Sequence, residues 1–233
     1  YAGYNPTITG LNVNYNRVHF EWKKLSTGFD LTMDARDETF APKVKIASMR
    51  VVERGLPVFD HIAGAGRDDW TVSRSALGNG GARWLPVRLP MLYAGEVFMS
   101  VAKAQGLHLP PAQAITARKN AGNQGQFLLA RHQSAALPII IKDMLKYSTN
   151  LTAEVLGLAA SRAQGLDPHD LRSSAKAMSD WSKGALGTRH LDFVDHSGLG
   201  GASQVTTSDM VRLLSASGVA HRLAPLLKPI APR

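Results

Sequence analysis

The sequence predicts a mixed α+β / α/β fold, with a β-rich first third and a helix-rich remainder. Three observations carry this reading. Residues 11–22 alternate between apolar and polar with a period of two. Helical periodicity is absent before about residue 88. Beyond it, apolar stripes at helical spacing run up to and away from the stretch Tyr147–Glu154. The expected domains are residues 1–82, β-rich, and residues 83–233, helix-rich, divided by the run Gly78-Asn79-Gly80-Gly81 read as a linker.

In chain order, Leu11, Val13 and Tyr15 lie before Asn16-Arg17, and Val18, Phe20 and Trp22 lie after it, which predicts a hairpin with a two-residue turn. Val44, Ile46 and Val51 predict a strand pair interrupted near Ala47–Met49, and Trp70 and Val72 a further strand. Pro90 suits the first position of a helix that Gly106 ends, with apolar faces from Leu92, Val97, Met99 and Val101. Short strands are expected at Ile115–Ala117 and Phe127–Ala130. Leu137, Ile141, Met144 and Leu145 then form one helical stripe, and Leu151, Val155 and Leu158 a second, closed by Gly165. Asp167-Pro168 reads as the cap and first residue of a helix burying Leu171, Ala175, Met178 and Trp181. Leu191 and Phe193 suggest a strand. Thr207 is the expected cap of a helix carrying Met210, Leu213 and Leu214, ended by Gly218.

Composition narrows the function classes. The 233 residues are 44% hydrophobic, ordinary for a globular chain with a sizeable core. There is no cysteine, hence no disulfide or thiolate metal site, which suits an exported protein. No run approaches the ~18 apolar residues of a membrane span. The chain opens on Tyr1 rather than Met, which reads as a processed, trimmed or truncated product. The net charge of +9 favours polyanionic partners, but Lys and Arg are scattered and no nucleic-acid recognition motif accompanies them. The eight His show no metal-ligand spacing, and no cofactor fingerprint appears.

The candidate site is Ser148-Thr149-Asn150, at the expected helix–helix junction. A hydroxyl and a carboxamide two residues apart can converge on one bound group: the hydroxyl relays a proton, and the carboxamide donates to a carbonyl and accepts from an N–H. Taken alone, Ser-x-Asn is a weak pattern and Asn150 before an amphipathic helix reads first as a plain helix cap.

The wider segment Lys142–Glu154 resembles the second active-site motif of the penicilloyl-serine enzymes, most closely the class C low-molecular-mass penicillin-binding proteins, the D-alanyl-D-alanine carboxypeptidase/endopeptidases. Asp195-His196-Ser197-Gly198-Leu199-Gly200 resembles that family's Asp-Gly-Ser-Gly-Leu-Ser loop, with His196 in place of Gly and Gly200 in place of Ser. Tyr4–Leu11 and Val52–Gly55 are similar to further family segments, so the likeness runs along the whole chain.

The resemblance implies part of a transpeptidase-like domain (83–233) with a β-rich insertion (1–82). It implies serine-type peptidase action on peptidoglycan stem peptides, acylation by β-lactam antibiotics, no cofactor and an exported, periplasmic location. Ser148 and Asn150 are the catalytic residues it maps onto this chain. The family's Lys-Thr/Ser-Gly motif does not occur, and its Ser-x-x-Lys pattern occurs only at Ser100–Lys103 and Ser173–Lys176, out of family order. Both are read as chance matches, with the nucleophile and the Lys-Thr-Gly strand expected outside residues 1–233. The alternative is a non-catalytic peptidoglycan-binding relative.

Overall fold

The computed structural model describes residues 3–64, 66–113, 128–216 and 218–228. They fall into two compact units, Tyr1–Gly122 and Asn123–Arg233.

Among its described residues the first unit holds two three-stranded sheets and one α-helix. In the first sheet, β1 (Arg17–Leu25) is central, antiparallel to β2 (Gly28–Asp34) and to β6 (Gly80–Pro86). In the second, β5 (Arg67–Ser73) is central, parallel to β3 (Ala47–Val52) and antiparallel to β4 (Phe59–Gly64). Helix α1 (Pro90–Ala104) starts on its proline, as the sequence predicts. Val18, Phe20, Val44, Ile46, Trp70, Val72, Leu85 and Tyr93 form one buried apolar cluster that joins both sheets to α1. The expected strand at Trp70 and Val72 is therefore present, and α1 belongs to this unit, because Tyr93 lies in its core.

Three expectations are corrected here. Residues 11–22 form no hairpin. Asn14, Tyr15 and Asn16 all take positive φ, in a single tight turn that delivers the chain into β1. Buried Asn16 makes that turn a fixed point: its carboxamide accepts from Val13 N–H at 3.1 Å and donates to the Thr7 carbonyl at 2.8 Å. An alternating pattern cannot reveal this, because Asn tolerates the left-handed region.

The strand pair expected to break at Ala47–Met49 is one continuous strand, β3, and Val44 and Ile46 reach the core from the segment before it. Nor is Gly78–Gly81 an open linker. Gly80 and Gly81 pair with Lys23 and Trp22. A Cβ on Gly81 would lie 2.6 Å from the Trp22 ring, whose indole N–H donates to the Leu77 carbonyl at 2.6 Å. The glycines let an aromatic lie flat on the backbone of the neighbouring strand.

The second unit is helical: α2 (Leu137–Tyr147), α3 (Asn150–Ala163), α4 (Leu171–Leu186), α5 (Thr207–Ser215) and α6 (Val219–Leu223). Helix α4 begins three residues later than expected. Asp170, not Asp167, caps it, accepting from Ser173 N–H at 2.7 Å. Its packed face carries Ser174, Ala175, Ser179 and Ser182, while Trp181 is 54% exposed and not core. Thr206 rather than Thr207 caps α5, accepting from Asp209 N–H at 3.2 Å, and Gly218 precedes α6 as its cap.

The strand expected at Leu191–Phe193 is reduced to one bridge, Asp192 with Gln204. Leu128–Ala130 has no regular structure, and Ile115–Ala117 and Phe127 lie outside the described residues. No helix among the described residues is long and apolar enough to cross a membrane.

Candidate active site

The stripe Leu137, Ile141, Met144 and Leu145 folds as α2, which ends as the chain reaches Ser148. Ser148 is left-handed, at φ 53 and ψ 51. The next residue, Thr149, donates its N–H to the Met144 carbonyl at 3.2 Å, the long closing bond of a Schellman-type helix end. Glycine is the usual occupant of such a position. A side chain there costs about 1 kcal/mol, and strain of this kind concentrates at functional sites.

Thr149 returns to extended backbone and is the N-cap of α3, although its side chain makes no capping bond. Asn150 is therefore the first helical residue rather than the cap. Ser148 is exposed and Asn150 half-buried. The junction thus places the two predicted residues on either side of a sharp turn.

Glu154 lies four residues on from Asn150, on the same side of α3 and one helical turn away. Its side chain is buried at 4% exposure, and its carboxylate accepts from His196 N–H at 3.0 Å and from Ser197 N–H at 3.1 Å. Asp195 organises the same loop from within, accepting from Gly198 N–H at 2.8 Å and from Gly200 N–H at 2.5 Å. Gly200 is needed for that closeness: a Cβ there would lie 2.4 Å from Val194. The Asp195–Gly200 loop is thereby held against α3 at Glu154, one helical turn on from Asn150.

The loop is also fixed from α4. Ser179 Oγ accepts from Phe193 N–H at 3.0 Å, and Ser174 Oγ lies 2.9 Å from His196 Nε2. Burial pushes the His196 imidazole below its ordinary value, against the nearby Glu154 and Asp195 charges, which act to raise it. Buried Asp209 plays the same part at the next loop, accepting from Arg189 N–H at 2.9 Å and His190 N–H at 2.6 Å.

Glu154 sits inside the segment that pointed to the site, yet sequence reasoning assigned it no role. A carboxylate at i+4 among apolar helix positions was the signal, since buried acids are nearly always paired. Asp209 was legible through the spacing Thr206-x-x-Asp209, a helix-start pattern.

The two Ser-x-x-Lys matches have other roles. Ser173 closes the α4 capping box, and the Lys176 ammonium pairs with Asp180 at 2.5 Å. Ser100 lies within α1, in the other unit. Among the described residues no group of three or more His, Cys, Asp or Glu is placed to hold a metal ion.

The fold defines the class. The chain is similar to penicillin-binding protein 4 (DacB) of Haemophilus influenzae in two solved structures. One, in complex with a β-lactam, matches with a TM-score of 0.70 at 18% identity, over 96% of this chain and 50% of that one. The other matches with a TM-score of 0.68 at 18% identity, over 96% and 49%. At this identity the likeness is one of fold, and the chain spans about half the length of the solved chains it matches. No curated protein matches it. The D-Ala-D-Ala carboxypeptidase 3 (S13) family matches residues 1–231, and the chain belongs to that family.

Proposed function

We propose that this chain is part of a serine-type D-Ala-D-Ala carboxypeptidase/endopeptidase that acts on peptidoglycan stem peptides in the periplasm and is acylated by β-lactams. The observation that carries this is the Ser148–Asn150 junction, with a left-handed serine beside a helix-opening asparagine and the Asp195 loop tied one turn away by Glu154. In this reading Ser148 relays a proton, and Asn150 holds the scissile amide of the stem peptide or the corresponding bond of a β-lactam. The nucleophile comes from a segment outside residues 1–233. The helical unit is part of the penicillin-binding domain, and the β-rich unit is its insertion.

Asn150→Ala in the full-length gene product tests this. Removing a transition-state donor slows acylation by fluorescent penicillin by at least ~100-fold. The stability loss should be far smaller than the loss of acylation, since deleting one side-chain hydrogen bond costs about 1 kcal/mol. Normal acylation by the variant refutes the role of Asn150. A full-length protein that binds peptidoglycan but takes no label is instead the non-catalytic relative.

A further inference from the structure

The notch above Gly157 is filled by the ring of His196. A Cβ on Gly157 would lie 2.1 Å from the imidazole, so the helix residue and the loop residue fit only as a pair. The ring's far nitrogen, Nε2, meets Ser174 on α4 at 2.9 Å, and Ser174 itself contacts the Gly157 carbonyl at 3.3 Å and Ser161 Oγ at 2.7 Å. One imidazole thus spans α3, α4 and the loop. Its backbone N–H is held by Glu154, one turn from Asn150.

We infer that His196 is a positioning residue, which latches the Asp195–Gly200 loop into the Gly157 notch and so fixes the wall of the site beside Asn150. The inference rests on the functional reading above for the site, but the latch itself stands on the packing.

The tautomer is assigned from the hydrogen-bond network: with the Ser174 hydroxyl donating toward the Gly157 carbonyl and Ser161 donating to Ser174, Nε2–H donates to Ser174 Oγ. Nδ1 is then a bare acceptor, buried, with no hydrogen-bond partner among the described residues. A second proton would sit on Nδ1 with nothing to accept from it. The charged or titratable groups facing the ring are Glu154 from α3 and Asp195 from the loop, while α4 contributes only the neutral Ser174. Burial outweighs those two carboxylates, so the latch is closed with the ring neutral and opens on acidification.

The test uses the full-length gene product. Backbone hydrogen exchange of the 195–200 segment reports the latch, and the pH profile of fluorescent-penicillin acylation reports the site. His196→Ala should raise exchange of the His196 and Ser197 amides and slow acylation, each by about tenfold. It should also remove the acid limb of the profile contributed by the ring. His196→Gln, which keeps a donor near Ser174, should recover most of the loss, and it carries the test where the Ala variant does not fold. Gly157→Ala should be damaging alone and nearly silent in the His196→Ala background.

Unchanged exchange and acylation in His196→Ala overturn the inference. So does a Gly157→Ala effect that is the same in both backgrounds. A wild-type protein that takes no label while its loop amides respond as expected supports the latch and refutes the functional reading.

Discussion

In the β-rich unit the largest enclosed side chains are Trp70, Phe20, Tyr93 and Leu85, with the smaller polar Asn16, Asp34, Asp68, Thr71 and Ser73 enclosed beside them. Among the described residues of the helical unit the enclosed apolar ones are Ala175 and Leu191, and the rest are Ser161, Ser174, Ser179, Ser182, Thr188, Glu154 and Asp209. The large apolar cluster of the first unit is held by removing area from water, a non-directional force, although Asp34 and Asp68 also accept from backbone N–H groups there. Around its loops, the second is held by directional bonds from small hydroxyls and two buried carboxylates to backbone N–H groups. The first arrangement tolerates small shifts of position. The second specifies where each loop amide lies, which suits a site that must hold a reacting group in place. It also makes the helical unit sensitive to single polar changes and to pH.

The contrast breaks most visibly at Trp70. Trp70→Ala should cost about 4 kcal/mol by emptying a fully enclosed site. Hydrogen exchange by segment should show the loss across the β-rich unit. Unchanged protection in β3–β5 would mean that the apolar cluster does not govern this unit.

Next in size is Glu154→Ala, which strands the His196 and Ser197 N–H groups and should cost about 3 kcal/mol, felt locally in residues 194–200. Glu154→Gln, with one acceptor oxygen left, should lose less. Equal losses in both variants would show that packing rather than hydrogen bonding anchors the loop.

Ser148→Gly sharpens the same comparison in the opposite direction. Relief of the left-handed side chain should stabilise the helical unit by about 1 kcal/mol while slowing acylation of the full-length protein. A variant that gains stability and keeps its acylation rate would remove Ser148 from the chemistry.

The smallest effect is the pH dependence that His196 and Asp209 give the helical unit. The folded His196 value lies below its ordinary one, so folding favours the neutral ring. Its contribution is complete above about pH 6.5, the ordinary value, and is lost as pH falls from there towards the lowered folded value. Asp209 titrates in a lower window. The Arg189 and His190 N–H groups hold its carboxyl down against burial. Its contribution is complete above about pH 4 and is lost below that. The gap between the denaturation midpoints of wild type and His196→Ala should be constant above about pH 6.5, shrink as pH falls through the upper window, and change no further in the Asp209 window.

The order of elements was legible in the residues themselves. Period-two alternation at Trp70 and Val72, Pro90 at a helix start and the stripes around Tyr147–Glu154 are local patterns, and local sterics with amphipathic burial suffice to read them. The junction at Ser148–Asn150 was legible for the same reason, since it lies between two strongly patterned helices, while the choice of the pair as candidates came from the resemblance. The family resemblance extended that reading along the chain, and it holds at the level of fold and family.

What failed lay where a distant residue sets the local conformation. The positive-φ turn at Asn14–Asn16 depends on Asn16 reaching Thr7 and Val13. The glycines at 80 and 81 answer to Trp22, nearly sixty positions away. The α4 cap failed for a different, local reason: Asp170 and Ser173 form a capping box, and that outweighed Asp167-Pro168. The sequence by itself determined the helices, the β-rich beginning and the junction that carries Ser148 and Asn150, because each is encoded by neighbours within a turn or two of chain. Only the tertiary structure decided that Glu154, 42 residues from His196, is the anchor of the loop, and that the His196 ring needs a glycine at 157. Hydrogen bonds and steric fit between distant segments leave no periodic trace.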